Sequence, residues 1–184
     1  CIQWIRDWRE ENGPGCNLIV GISGGVDSLV AAKLCVEAVG TDKVLGVIMP
    51  NYKQDDIDVA YDICQHVLGI DYLTINIGLA YDHIIDQIDA AFNVTDQTLI
   101  NLAPRLRMAT LYGVSQSRNG RVVNTCNLSE DWVGYSTRYG DSAGDFAPLA
   151  QFTKGEVKSI GYYLGLPKKY IEKTPSDGLC GKSD

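Results

Sequence analysis

The 184-residue chain has little of several things, and each scarcity removes a class of function. It has two histidines, His66 and His83, and six scattered cysteines (Cys1, Cys16, Cys35, Cys64, Cys126, Cys180) with no Cys-x-x-Cys pair. That scatter argues against a zinc site or a disulfide frame and predicts reduced thiols in a cytoplasmic setting. Both histidines fall in helical patterns and read as structural. Lysine and arginine total 16 against 23 acidic residues, a net charge of -7, so the basic footprint of a general nucleic-acid binder is missing. No apolar run approaches the roughly 20 residues of a membrane-spanning helix, which predicts no membrane partner. No repeat or low-complexity tract is present. Hydrophobic content of 45% and charged content of 21% are ordinary for a globular chain, and the length predicts a single domain over 1–184.

Against that plain background one stretch organises the rest. Asn17-Leu18-Ile19-Val20 is an apolar run of strand length that enters Gly21-Ile22-Ser23-Gly24-Gly25-Val26-Asp27-Ser28. Beyond it, Leu29, Val30, Leu34 and Val36 continue at helical spacing. The reading is strand, glycine-rich turn, helix. Glycines let the backbone approach a ligand closely and adopt positive φ. The first N–H groups of the helix lack intrahelical partners and face outward at the positive end of the dipole, an arrangement that suits phosphate. Asp27 would repel phosphate by itself, but it fits if a divalent cation such as Mg²⁺ bridges the two. No Gly-Lys-Ser/Thr follows, so this is not the Walker A loop.

Further strands are predicted at 43–48, 71–77 and 121–125, and further helices at 1–12, 55–68, 84–92, 101–117 and 153–164. In the helix from Asn101, Pro104 is placed in the first turn, where its missing N–H costs nothing. Strands alternating with helices predict a doubly wound, mostly parallel α/β sheet with helices on both faces. The start at Cys1, inside an amphipathic pattern, and the stop at Gly181-Lys182-Ser183-Asp184 make both ends look cut.

Five stretches carry a resemblance. The turn at 21–28 resembles the pyrophosphate loop of the ATP pyrophosphatase superfamily. With Pro104-Arg105-Leu106-Arg107, Asn124-Thr125-Cys126-Asn127-Leu128-Ser129-Glu130, Thr137-Arg138-Tyr139-Gly140-Asp141-Ser142-Ala143-Gly144-Asp145, and Lys154 followed by Lys173-Thr174-Pro175-Ser176-Asp177-Gly178-Leu179, the order resembles ammonia-dependent NAD synthetase. The resemblance implies a Rossmann-like ATP pyrophosphatase domain, a homodimer, and amidation of deamido-NAD by ammonia using ATP and Mg²⁺. It implies that residues 21–28 with Thr125, Lys154 and Ser176 hold ATP, and that Asp27 and Glu130 bind Mg²⁺. Arg105, Arg138 and Asp145 would hold deamido-NAD, while Asp141 serves ammonia. Position 138 is Arg where many members of the family have Lys. Family chains continue to a helical tail that this chain is expected to lack.

Plainer roles stay open at this stage. Glu130 suits the first turn of a helix, Arg105 and Arg107 suit a solvated helix face, and Asp141 and Asp145 suit turns beside Gly140 and Gly144. Lys154 suits an exposed helix start. The competing enzyme readings are another ATP pyrophosphatase, of the GMP-synthesising or tRNA-thiolating type. The thiolating type calls for paired reactive cysteines and a basic surface. A nucleotide-binding module without turnover is the reading from outside enzymology.

Overall fold

In a computed structural model, which describes residues 1–54 and 56–174, four strands form one sheet. They are β1 (Asn17–Gly21), β2 (Val44–Ile48), β3 (Asp71–Thr74) and β4 (Gly120–Val123), ordered β3-β2-β1-β4 and all parallel. The doubly wound expectation holds. The chain moves outward from β1 through β2 to β3, then crosses back to place β4 on the other side of β1. This reversal opens a crevice beyond the carboxyl ends of β1 and β4, the place where such sheets bind ligands.

Alternation along the strands sends side chains to two layers. Leu18, Val20, Val44 and Ile48 join a large core with α1 (Ile2–Asn12), α2 (Val26–Val39), α3 (Ile57–Asp62, continued by a π turn at Ile63–Leu68), α7 (Lys154–Tyr163) and α8 (Lys168–Ile171). The same core contains the fully buried Ile5 of α1 and Cys35 and Cys64, whose thiols are desolvated as their apolar helix positions predict. Ile19, Val47 and Met49 point the other way, onto α4 (Gly78–Asp89) and α5 (Asp96–Ser117). This second layer is thinner, and Leu79, Phe92 and Leu99 remain exposed on it. A short helix, α6 (Leu128–Val133), follows β4.

Three expectations change, the first being the helix expected at 84–92, which runs from Gly78 to Asp89. The third strand ends at Thr74: Ile75 N bonds to the carbonyl of Ile48, the last residue of β2, and Ile77 N to the Pro50 carbonyl beyond it, as the chain turns into α4. The helix expected from Asn101 begins at Asp96, where Thr95 caps it by accepting from the N–H of Thr98. Pro104 therefore lies in the helix interior and removes the bond that would reach the Ile100 carbonyl. It is buried and packs against the loop around Gly140, where a Cβ on that glycine would come within 2.9 Å of the proline Cβ. Tertiary packing thus accommodates a residue that local rules place elsewhere.

Candidate active site at the sheet switch point

The turn after β1 is tied by its own serines. Gly24 takes φ +86°, a conformation that disfavours a side chain, and Gly25 is the residue before α2. Ser23 Oγ accepts from Gly25 N at 3.2 Å, and Ser28 Oγ donates to the Gly25 carbonyl at 3.0 Å. Ile22 N bonds to the Val47 carbonyl, which anchors the turn to β2. The first N–H groups of α2 are left facing the crevice by the ordinary logic of a helix start.

Asp27 sits in the first turn of α2, and two residues from the far side of the crevice, Lys154 and Asn127, reach it. Lys154 Nζ, from the first position of α7, lies 2.5 Å from Asp27 Oδ2 and 3.7 Å from Glu130 Oε1. Asn127 Nδ2 donates to Asp27 Oδ1 at 3.0 Å. Glu130 is positioned by a capping box on α6. Its Oε2 accepts from Asn127 N at 3.1 Å, while Asn127 Oδ1 accepts from Glu130 N. Glu130 therefore fills the plain role of a helix-turn acid and also faces the crevice. Burial, then the charge of Asp27, push its carboxyl above the ordinary value. Lys154 is not a solvated helix start. Its amide is held by Ser129 Oγ at 3.1 Å, and its ammonium pairs with two half-buried carboxylates.

Two carboxylates beside a phosphate turn suit a hard cation that takes one or two protein oxygens and completes its shell with phosphate and water. Among the described residues no cluster of three or more His, Cys, Asp or Glu side chains could hold a metal alone.

A second group forms where the loop after α6 meets α5. Asp141 Oδ1 accepts from Thr137 N at 2.7 Å, and Thr137 Oγ1 donates to Asn101. The Asp141 carbonyl accepts from Asn124 Nδ2 at 3.0 Å. Arg105 Nε donates to the Arg138 carbonyl at 3.3 Å, and the Arg138 guanidinium lies 4.9 Å from the Tyr139 ring. Arg107 is not a solvated residue: Nε donates to the Met49 carbonyl at 3.0 Å, and its charge feels Asp141.

Asp145 stands apart from both groups. Its Oδ2 accepts from Val122 N at 2.6 Å, and it borders a groove of about 480 Å³ lined also by Tyr112, Ser115, Gln116 and Arg121. Burial, then the charge of Asp145, raise the Tyr112 hydroxyl. Thr125 follows β4 at the crevice and is half-buried. Ser176 lies outside the described residues. Sequence reasoning gave no role to Asn127 or Tyr112. The Asn127-x-x-Glu130 spacing is itself a cap signal, but no local pattern reveals the contact with Asp27.

The NAD synthase family model matches residues 1–184. An NH(3)-dependent NAD(+) synthetase of Thermococcus kodakarensis is 43% identical over 182 residues, covering 98% of this chain and 70% of that protein. The corresponding protein of Pyrococcus furiosus is 41% identical, and this chain spans 64% of its length. Among solved structures, one described as an NMN synthetase from Francisella tularensis superposes with a TM-score of 0.89 at 35% identity, covering all of this chain and 76% of that one.

Proposed function

Because this chain belongs to the NAD synthase family, we propose that it amidates deamido-NAD with ammonia, consuming ATP and releasing NAD, AMP and pyrophosphate. The observation that carries this reading is the convergence of Asp27, Glu130 and Lys154 beside the Ser23–Ser28 turn. A carboxylate is a poor electrophile, and its oxygen must first attack the α-phosphorus of ATP. The phosphorus–oxygen bond to pyrophosphate breaks, and an acyl-adenylate forms. Such transfers depend mainly on positioning and charge neutralisation.

The turn and the start of α2 would receive the β- and γ-phosphates, with Thr125 and Ser176 completing the ATP site. Lys154 would turn from Asp27 toward phosphate. Asp27 and Glu130 would hold Mg²⁺, which supplies charge neutralisation when bound. Arg105, Arg138 and Asp145, with the groove beside Tyr112, would take the dinucleotide. Asp141 would attract ammonium and accept a proton as nitrogen attacks the acyl carbon and AMP leaves.

The exposed apolar face of α4 and α5 suits a homodimer, and a cytoplasmic setting suits the unpaired thiols. No helix among the described residues is long and apolar enough to cross a membrane.

The test is to incubate the protein with ATP, Mg²⁺, ammonium and deamido-NAD and to measure NAD, AMP and pyrophosphate. The name of the Francisella tularensis neighbour motivates a parallel arm with the deamidated mononucleotide. Formation of NAD and AMP in equal amounts supports the reading. ATP binding without AMP formation defeats it, and a preference for the mononucleotide reassigns the acceptor.

A further inference from the structure

A second lysine reaches the same turn from the opposite side. Lys173, just beyond α8, places Nζ 3.4 Å from the Gly24 carbonyl and forms an ion pair with Asp56. Gln54 completes the arrangement, donating to the Ser23 carbonyl at 3.1 Å and to Asp56 Oδ1 at 3.0 Å. All three are remote in sequence from the turn; Gln54 and Lys173 meet its two consecutive carbonyls, and Asp56 joins them.

The electrostatics of the turn explain the placement. Its N–H groups favour phosphate, but the carbonyls of Ser23 and Gly24 carry partial negative charge and oppose it. Gln54 and Lys173 cover those two oxygens with donors. An ammonium has three N–H bonds, and the carbonyl and Asp56 account for two of them. Asp56 would by itself add a repelling charge at a phosphate site, so the pair is neutral as it stands. Both side chains are about three-quarters covered, at 24% and 27% relative exposure, which keeps Lys173 aimed rather than free to wander.

We infer that Lys173 is a second phosphate-directed cation of this site, held ready by Asp56 and Gln54 and turned onto the β- and γ-phosphoryl oxygens when ATP seats on the turn. Lys154 then serves the face shared with Asp27 and Glu130, and Lys173 the face beside Gly24. Lys173 is a positioning and charge-neutralising residue, and the inference rests on the ATP-consuming reading given above.

The experiment compares ATP, AMP and inorganic pyrophosphate as titrants in calorimetry, since AMP lacks the groups Lys173 is meant to meet. Lys173→Met should weaken ATP and pyrophosphate by about ten- to a hundredfold, as expected for a lost hydrogen bond to a charged group, and leave AMP within about twofold. In steady state the KM for ATP should rise while that for deamido-NAD holds. Lys173→Arg should restore most of the ATP affinity. Asp56→Asn releases the lysine, so ATP affinity should hold or increase even as thermal stability falls. A purely structural clasp predicts instead that Lys173→Met and Asp56→Asn lose ATP, pyrophosphate and AMP affinity alike, and that result overturns the inference. Unchanged ATP affinity in a folded Lys173→Met protein overturns it too. If the wild-type protein binds no ATP, the proposed function itself fails and the inference falls with it.

Discussion

Glutamine and alanine at position 130 separate two things that Glu130 does at once. Its Oε2 accepts from Asn127 N in the capping box, which stabilises the start of α6. Its charge is costly, because burial and then the neighbouring Asp27 raise its pKa, only partly offset by Asn127 and Lys154. Glutamine keeps an oxygen for the cap and removes the charge, whereas alanine removes both. A cap contact is worth about 1 kcal/mol, and about 1 kcal/mol moves Tm by about 2–4 °C in a chain of this size. Glu130→Gln should therefore melt at or above wild type near neutral pH, and Glu130→Ala about 2–4 °C below Glu130→Gln.

The pH dependence has a definite sign. A carboxyl whose pKa is raised by folding contributes stability while protonated, and that contribution is lost as pH rises through the folded-state value. The advantage of Glu130→Gln over wild type should thus be near zero in acid and grow toward neutrality. Melting curves in chelator, from about pH 4 to about pH 8, measure it across the carboxylate range. Both variants should lose adenylation by at least about a hundredfold, since neither supplies a second carboxylate to the cation. A glutamine variant that melts with the alanine variant, or a gap that ignores pH, refutes the electrostatic account. Adenylation at the wild-type rate in either variant removes the metal role.

Asp141→Asn keeps an oxygen for Thr137 N but loses charge and basicity, so pyrophosphate release should persist while NAD formation slows about 10²–10⁴-fold at low ammonium. Unchanged NAD formation would leave Asp141 a loop-former only. Gly120→Ala would put a Cβ 2.6 Å from Ile19 Cγ1 and should cost about 1–3 kcal/mol of stability by overpacking, with ATP affinity retained; denaturant melts and a binding isotherm check both halves. Cys64 and Cys126, their thiols pushed up to about 12 chiefly by burial, should resist a thiol reagent near neutral pH while exposed Cys1 reacts. Peptide mapping that finds early labelling at Cys126 would mean that the loop bearing Asp141 opens readily.

The parts written locally were legible. The apolar run into Ser23-Gly24-Gly25 specifies strand, turn and helix, because each of those features depends on near neighbours. The start of α5 is hidden from local rules for the opposite reason: Pro104 is a local stop signal that packing against the 137–140 loop overrides. The roles of Asn127, Arg107 and Lys173 depend on partners far along the chain, and their residue types alone suit many exposed positions. Glu130 shows the intermediate case, since its cap role follows from spacing and its ion pair with Lys154 does not.

The spacing of those partners has a kinetic consequence. Asn127 and Lys154 stand 100 and 127 residues from Asp27, and Lys173 stands 117 from Asp56. Each contact closes a long loop, and the Asn127 contact comes from the segment just after β4, which pairs with β1. Loop-closure entropy is lost before such contacts repay it, so topology of this kind folds slowly. On refolding from denaturant, helical signal should return well before nucleotide affinity, because the crevice depends on long-range pairings. The site is thus a reporter of complete folding: a partly folded chain can carry the glycine-rich turn, but not the contacts of Asn127 and Lys154 with Asp27.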